Sequence, residues 1–160
     1  SFKGEEQSMM LGGAVHYQTA DTAATGVADL DLLLLTMDFT AQFGGANLFA
    51  ALIYANSDQS PGTDPGAWGI VLQGGWFFSN TWEAFLRYEW SDTDTLATSD
   101  IRIATIGVNK YMHQQNAKWS TDFGLAFDPV PYTVPITGWR LDSPGEDHQF
   151  VVRSQLQILF

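Results

Sequence analysis

The sequence predicts an all-β fold: a transmembrane, antiparallel up-and-down β-barrel to which this chain contributes about eight strands. Three observations carry that reading. Apolar residues recur with period two more often than with period 3.6. The polar connections between these segments alternate long and short. The last segment, QFVVRSQLQILF (149–160), alternates like a strand and stops on Phe160.

The first strand is expected over 8–18, with Met9, Leu11, Val15 and Tyr17 on one face. The second is expected over 30–42 and the third over 47–56. In the fourth, 67–78, Trp68, Ile70, Leu72, Trp76 and Phe78 share a face. In the fifth, 82–91, Trp82, Ala84, Leu86, Tyr88 and Trp90 oppose Glu83, Arg87 and Glu89. The sixth spans 100–112. In the seventh, 118–127, Trp119, Thr121, Phe123, Leu125 and Phe127 oppose Lys118, Ser120, Asp122 and Gly124. In the terminal strand Phe150, Val152, Leu156, Ile158 and Phe160 oppose Val151, Arg153, Gln155 and Gln157. Each is long enough to cross a bilayer as a tilted strand of about 9–11 residues. Two strands read ambiguously. Asp31 and Asp38 differ in parity, as do Arg102 and Asn109, so a β-bulge is expected near Leu32–Leu33 and another near Thr105.

Composition agrees with the architecture. Charged residues make up 16% of the 160-residue chain, against about 25% in a typical soluble domain. No apolar run approaches the roughly 20 residues of a membrane helix, so a membrane chain of this kind must span as a sheet. The absence of cysteine excludes disulfides and thiolate metal sites. A net charge of −11 excludes nucleic acid as a partner. The chain begins at Ser1 without a leader, and is expected to be processed or partial: a single domain over 1–160, or the C-terminal portion of one.

The loops set an orientation. Long connections fall at 19–29, 57–66, 92–99 and 128–148, and short ones at 43–46, 79–81 and 113–117. Outer-membrane barrels have short periplasmic turns and long extracellular loops. Counting back from Phe160 puts every short turn on the periplasmic side. Trp76, Phe78 and Trp82 then form one aromatic girdle, and Trp68, Tyr88 and Trp90 the other.

A terminal strand ending in phenylalanine resembles the C-terminal signature of bacterial outer-membrane β-barrels. The stretches FLRYEWSDTD (85–94), IATIGVNKYMHQQNAKWSTDFGLAFD (103–128) and VVRSQLQILF (151–160) together resemble the C-terminal half of the porin family that includes the phosphate-selective porins O and P. QFGGANLFAALIYAN (42–56) is a weaker match. The resemblance implies a Gram-negative outer-membrane location, a barrel of about 16 strands and a homotrimer. It also implies contact with lipid and lipopolysaccharide, and passive transport of ions or small hydrophilic solutes. The chain would then be about half of such a barrel. The chain departs from that family in carrying only 7 Lys and Arg, so anion selectivity is not carried over.

The expected pore-lining residues are Asp38, Glu83, Arg87, Glu89, Arg102, Lys118, Asp122, Arg153, Gln155 and Gln157. Their charges balance, while Asp21, Asp58, Asp64, Asp92, Asp94, Asp128, Asp142, Glu146 and Asp147 lie in or beside long loops. A negative mouth over a balanced wall implies a weak cation preference. The alternative is a small closed eight-stranded barrel with a structural or anchoring role and no channel. An enzyme is not expected: His16, His113 and His148 form no nucleophile–base arrangement. No cofactor or metal is implied.

Overall fold

The computed structural model describes Gly4 and residues 6–20, 29–60, 66–93, 100–113, 116–130, 138–141 and 148–159. Eight strands form one antiparallel sheet in chain order: β1 (Ser8–Ala20), β2 (Asp29–Gln42), β3 (Ala46–Ser60), β4 (Gly66–Phe77), β5 (Trp82–Thr93), β6 (Asp100–His113), β7 (Ala117–Ala126) and β8 (Phe150–Ile158). This is the expected up-and-down order. The largest difference in bounds is at β3, which runs on to Ser60. Among the described residues β1 and β8 are not paired with each other, so the sheet is open rather than closed into an eight-stranded barrel.

The registers are nearly unbroken, and this corrects both expected bulges. β2 pairs with β1 from Ser8↔Gln42 to Ala20↔Leu30 and with β3 from Asp29↔Ser60 to Gln42↔Asn47, without a slip at Leu32–Leu33. Period two holds throughout, so Asp31 lies on the face opposite Asp38. There Tyr17 Oη donates to the Asp31 carboxylate at 3.4 Å. β5 and β6 pair from Trp82↔Lys110 to Asp92↔Asp100, without a slip at Thr105. The register shift in β6 falls at its turn end, between Tyr111 and His113.

Because successive side chains alternate across a sheet, these registers put all eight strands in phase. One face collects Leu11, Leu86, Ile106 and Val152; the other collects Glu83, Arg87, Thr105, Asp122 and Arg153. Burial is inverted relative to a soluble core. Leu11 is 72% exposed, Val152 65% and Ile106 60%, whereas Glu83 is 5% and Thr105 3% exposed.

The short connections are built for tight reversal. Gly44 and Gly45 have φ of 60° and 118°, which glycine adopts without steric cost. Gly45 O accepts from Phe77 N at 2.7 Å, tying the β2–β3 turn to β4. In the next short turn Ser79 Oγ accepts from Trp82 N at 3.0 Å. Aromatic rings gather at this end on the apolar face: Phe78 and Trp82 stack at 6.4 Å, and Trp82 meets Trp119 edge-on at 6.3 Å. Lys110 Nζ lies 4.7 Å from the Trp82 ring. At the opposite ends of β3 and β4, Tyr54 and Trp68 meet at 4.5 Å.

On the polar face Phe85 of β5 leans across β6 where Gly107 leaves room. A Cβ at Gly107 would stand 2.5 Å from Phe85 Cζ and 2.8 Å from Asp122 Cβ. Gly107→Val is therefore expected to destabilise the sheet by about 1–3 kcal/mol through overpacking. Gly13→Ala, where the nearest atom is Thr36 O at 3.4 Å, should cost far less. Urea unfolding midpoints of the two variants check this, and equal effects would contradict the packing described.

Candidate functional site

Nine of the ten expected wall residues share the polar face. Asp38 reaches it from β2, and Glu83, Arg87 and Glu89 from β5. Lys118 and Asp122 come from β7, and Arg153, Gln155 and Gln157 from β8. Arg102 does not share it, and this corrects the expectation. Arg102 pairs with Trp90 across β5–β6 and stands on the apolar face near the start of β6. Its guanidinium binds Asp128 through Nη2 to Oδ1 at 2.7 Å and Nε to Oδ2 at 2.8 Å, and its backbone N donates to Oδ2 at 2.8 Å. At a strand end a charge reaches the rim from either face, so its presence there did not reveal the strand's phase.

The centre of the polar face holds a cavity of about 380 Å³. Its lining combines Arg87, Lys118, Asp122, Arg153 and Gln155 with Gln73, Phe85, Thr105, Asn109 and Ser120. The last five were not among the expected pore-lining residues. They were findable, since the register sets Gln73 and Thr105 opposite Arg87 and sets Ser120 opposite Gln155.

The charges here are largely paired. Arg153 Nε and Nη2 each lie 2.7 Å from Asp122 Oδ1, across directly opposed positions of β7 and β8. Arg87 Nη2 lies 2.7 Å from Glu89 Oε1 on the same strand. Arg87 Nε is buried without a hydrogen-bond partner among the described residues. Lys118 Nζ lies 6.0 Å from the Tyr111 ring. Toward the short-turn end, buried Glu83 is held by neutral donors: Asn47 Nδ2 at 2.6 Å, Asn109 Nδ2 at 2.8 Å and Tyr111 Oη at 2.7 Å. Phe77 stacks on Tyr111 at 5.2 Å and seals this cluster. Gly75 makes room for it, because a Cβ there would stand 2.5 Å from Glu83 Oε1. Asp38 lies apart, over Gly12 of β1.

The long β7–β8 connection touches the polar face. Trp139 and Val130 are buried with Ala126, against Ile103 and Val151. Sequence reasoning left the position of this loop open, since nothing in its Pro-rich composition marks Trp139 as an anchor. Of the acids expected in or beside the long loops, Asp58 falls within β3, Asp92 within β5 and Asp128 just past β7. Asp21, Asp64, Asp94, Asp142, Glu146 and Asp147 lie outside the described residues. His16 stands on the polar face of β1, His113 at the end of β6, and His148 just before β8 with φ of 71°.

A scan against protein-family models, a search of curated proteins and a search of solved structures each return no match.

Two outcomes follow from this geometry. Glu83→Gln replaces an acceptor oxygen with a donor amide among groups that already donate, and is expected to cost about 1–3 kcal/mol. Tyr111→Phe should cost less, and the two losses should be non-additive in a double-mutant unfolding cycle; additivity would contradict the shared hydrogen bond. The Asp128 carboxyl is held below the usual carboxylate range, first by its hydrogen bond from Arg102. A depressed folded-state pKa contributes stability that is present above the unfolded value of about 4 and is lost as pH falls through the folded value. Asp128→Asn should therefore flatten the acid limb of the stability profile below about pH 4; an unchanged limb in acid titration of the variant would contradict this.

Proposed function

We propose that this chain forms part of the wall of an outer-membrane diffusion pore, as about eight strands of a larger antiparallel barrel. The observation that carries the reading is the inverted burial: large apolar side chains on one face are exposed, while the opposite face holds buried polar side chains and paired charges. A soluble sheet buries its apolar face; a transmembrane barrel presents that face to lipid and keeps polar groups for the lumen. The aromatic clusters at both ends of the apolar face match the two interfaces of a bilayer. The resemblance to outer-membrane porins agrees and adds a homotrimer as the assembly.

The open sheet favours a larger barrel over the small closed one. With Arg102 off the wall, the named charges are three cations (Arg87, Lys118, Arg153) against four acids (Asp38, Glu83, Glu89, Asp122). A slight acidic excess there supports a weak preference for cations among small hydrophilic solutes or ions.

Planar-bilayer recording of the purified protein tests this. Discrete conductance steps are expected, with a reversal potential in a KCl gradient displaced modestly toward potassium. Absence of steps sinks the pore reading, and a reversal potential displaced toward chloride sinks the cation preference. Ile106→Arg, in the middle of the apolar face, should destabilise the inserted protein by about 2–4 kcal/mol, whereas Gln155→Arg on the polar face should cost much less. Reversible unfolding from lipid vesicles separates them, and equal costs would contradict the assignment of faces.

A further inference from the structure

The polar face carries a second recess, and its walls are aliphatic. Two rows of opposed residues cross β3 to β6 toward the long-loop end. One reads Ile53, Gly69, Ser91 and Ile101; the other reads Ala51, Val71, Glu89 and Ile103. Both rows stand on the face that holds Glu83 and Arg87. Between them opens a cavity of about 240 Å³, walled by Ile53, Val71, Ile101 and Ile103. Glu89 and Ser91 give it a polar side. Few polar groups in an apolar hollow are the usual make-up of a small-molecule site.

Gly69 opens this recess. Four other glycines on the polar face are filled by a side chain of the protein. An added Cβ would meet Asp38 at Gly12, Glu83 at Gly75 and Phe85 at Gly107, each at 2.5 Å, and Trp139 at Gly124 at 3.0 Å. At Gly69 the nearest atoms would be Ile53 Cβ at 3.7 Å and Trp90 O at 4.0 Å, which is ordinary contact. Neither crowding nor a positive φ demands glycine here. Glycine inside a strand weakens the sheet, and it marks a place where another group approaches the backbone closely.

Charge selects that group. The cations of the wall, Arg87, Lys118 and Arg153, line the central cavity, whereas the charged residue lining this recess is Glu89. Arg87 Nη2 engages Glu89 Oε1 at 2.7 Å, which leaves Oε2 for a second donor. An apolar cavity of about 150 Å³ holds benzene, so this one has room for a single ring with a short polar arm.

We propose that the recess over Gly69 binds solutes that join one hydrocarbon ring to an ammonium group. The ring lies against the four aliphatic walls, and the ammonium donates to Glu89 and to Ser91 Oγ, a charge-assisted contact at the carboxylate. The proposal rests on the pore reading for access from the lumen, and deepens it by naming a solute class that the wall retains.

Calorimetry with benzylammonium chloride, on the purified protein in detergent micelles, reads binding without conduction. Saturable binding is expected. Benzoate keeps the ring and reverses the charge, and should bind about tenfold more weakly or worse. Methylammonium lacks the ring and should lose a similar factor. Gly69→Leu fills the recess from its floor, and Glu89→Gln removes the charge and leaves the floor intact. Each should weaken benzylammonium binding about tenfold, and the variants in the same micelles correct for partition into detergent. Undiminished binding in Glu89→Gln or in folded Gly69→Leu overturns the proposal, as does equal binding of benzoate. Absence of saturable binding to wild type overturns it too, and is the result expected if another segment of the barrel covers the recess. Bilayer recording separates this from the pore reading. Conductance without benzylammonium binding overturns the recess and leaves the pore reading standing; binding without conductance supports the recess and overturns the pore reading.

Discussion

Everything in this protein depends on register. Seven antiparallel pairings run in phase with one shift among the described residues, at Tyr111/His113 beside a turn. A slip of one residue in a strand sends all its later side chains to the opposite face. A slip at Thr105 would have put Arg102 in place of Ile103 on the polar side. Because no slip occurs within the body of the sheet, leucines and aromatics from eight strands merge into one apolar surface. Charges on strands distant in sequence meet on the other face, and the Arg153–Asp122 pair is a direct product of one cross-strand pairing.

The polar face divides into regions held by different physics. At its centre, cations and acids neutralise one another in pairs around a cavity, so that the wall is polar without a strong field. At the short-turn end Glu83 is held by neutral donors alone, and the aromatic pair Phe77–Tyr111 covers it. A carboxyl group with three hydrogen bonds is tolerated in burial where an unsatisfied one would not be. At the long-loop end the face is apolar, with Ile103, Val151 and Ala126, and there the loop lays down Trp139. The Arg140 backbone is satisfied by Gln149, whose side chain accepts from Arg140 N and donates to Arg140 O, both at 2.8 Å. The aliphatic patch of Ala126, Ile103 and Val151 on the polar face is thus where Trp139 packs.

Much of the sheet was legible in the sequence, because period two speaks directly wherever one face is polar and the other apolar. Strands β4, β5, β7 and β8 alternate cleanly, and their faces were read correctly. In β2 the run Leu32–Leu35 is apolar on both faces and carries no phase information, so Asp31 and Asp38 were wrongly reconciled by a bulge. A similar ambiguity in β6 misplaced Arg102, which stands on the apolar face near the strand's start and binds Asp128. Of the site, the charged members were legible but not their pairing, since Arg87 takes Glu89 on its own strand rather than a cross-strand acid. Trp139 was invisible for a different reason: its burial depends on Gly124 and Val151, and no local pattern in the loop encodes that meeting.

The burial of Trp139 bears on the width of the proposed barrel. In a closed eight-stranded barrel the interior is just wide enough for the wall's own side chains. Here Phe85, Arg87, Lys118 and Arg153 already project from the wall, and Trp139 with Val130 lies above it as a further layer. Fitting both layers inside eight strands would bring β2 and β3 side chains such as Leu34, Phe49 and Ile53 against a face that the loop already occupies. Meanwhile β1 and β8 are not paired with each other among the described residues, and in the proposed membrane setting an open strand edge would be costly. Under the proposed pore reading both features favour a larger barrel: further strands would pair the edges, and a wider lumen would leave room for Trp139. An even run of strands lets β1 and β8 remain antiparallel to whatever completes them, so further hairpins could be added without changing a register already present.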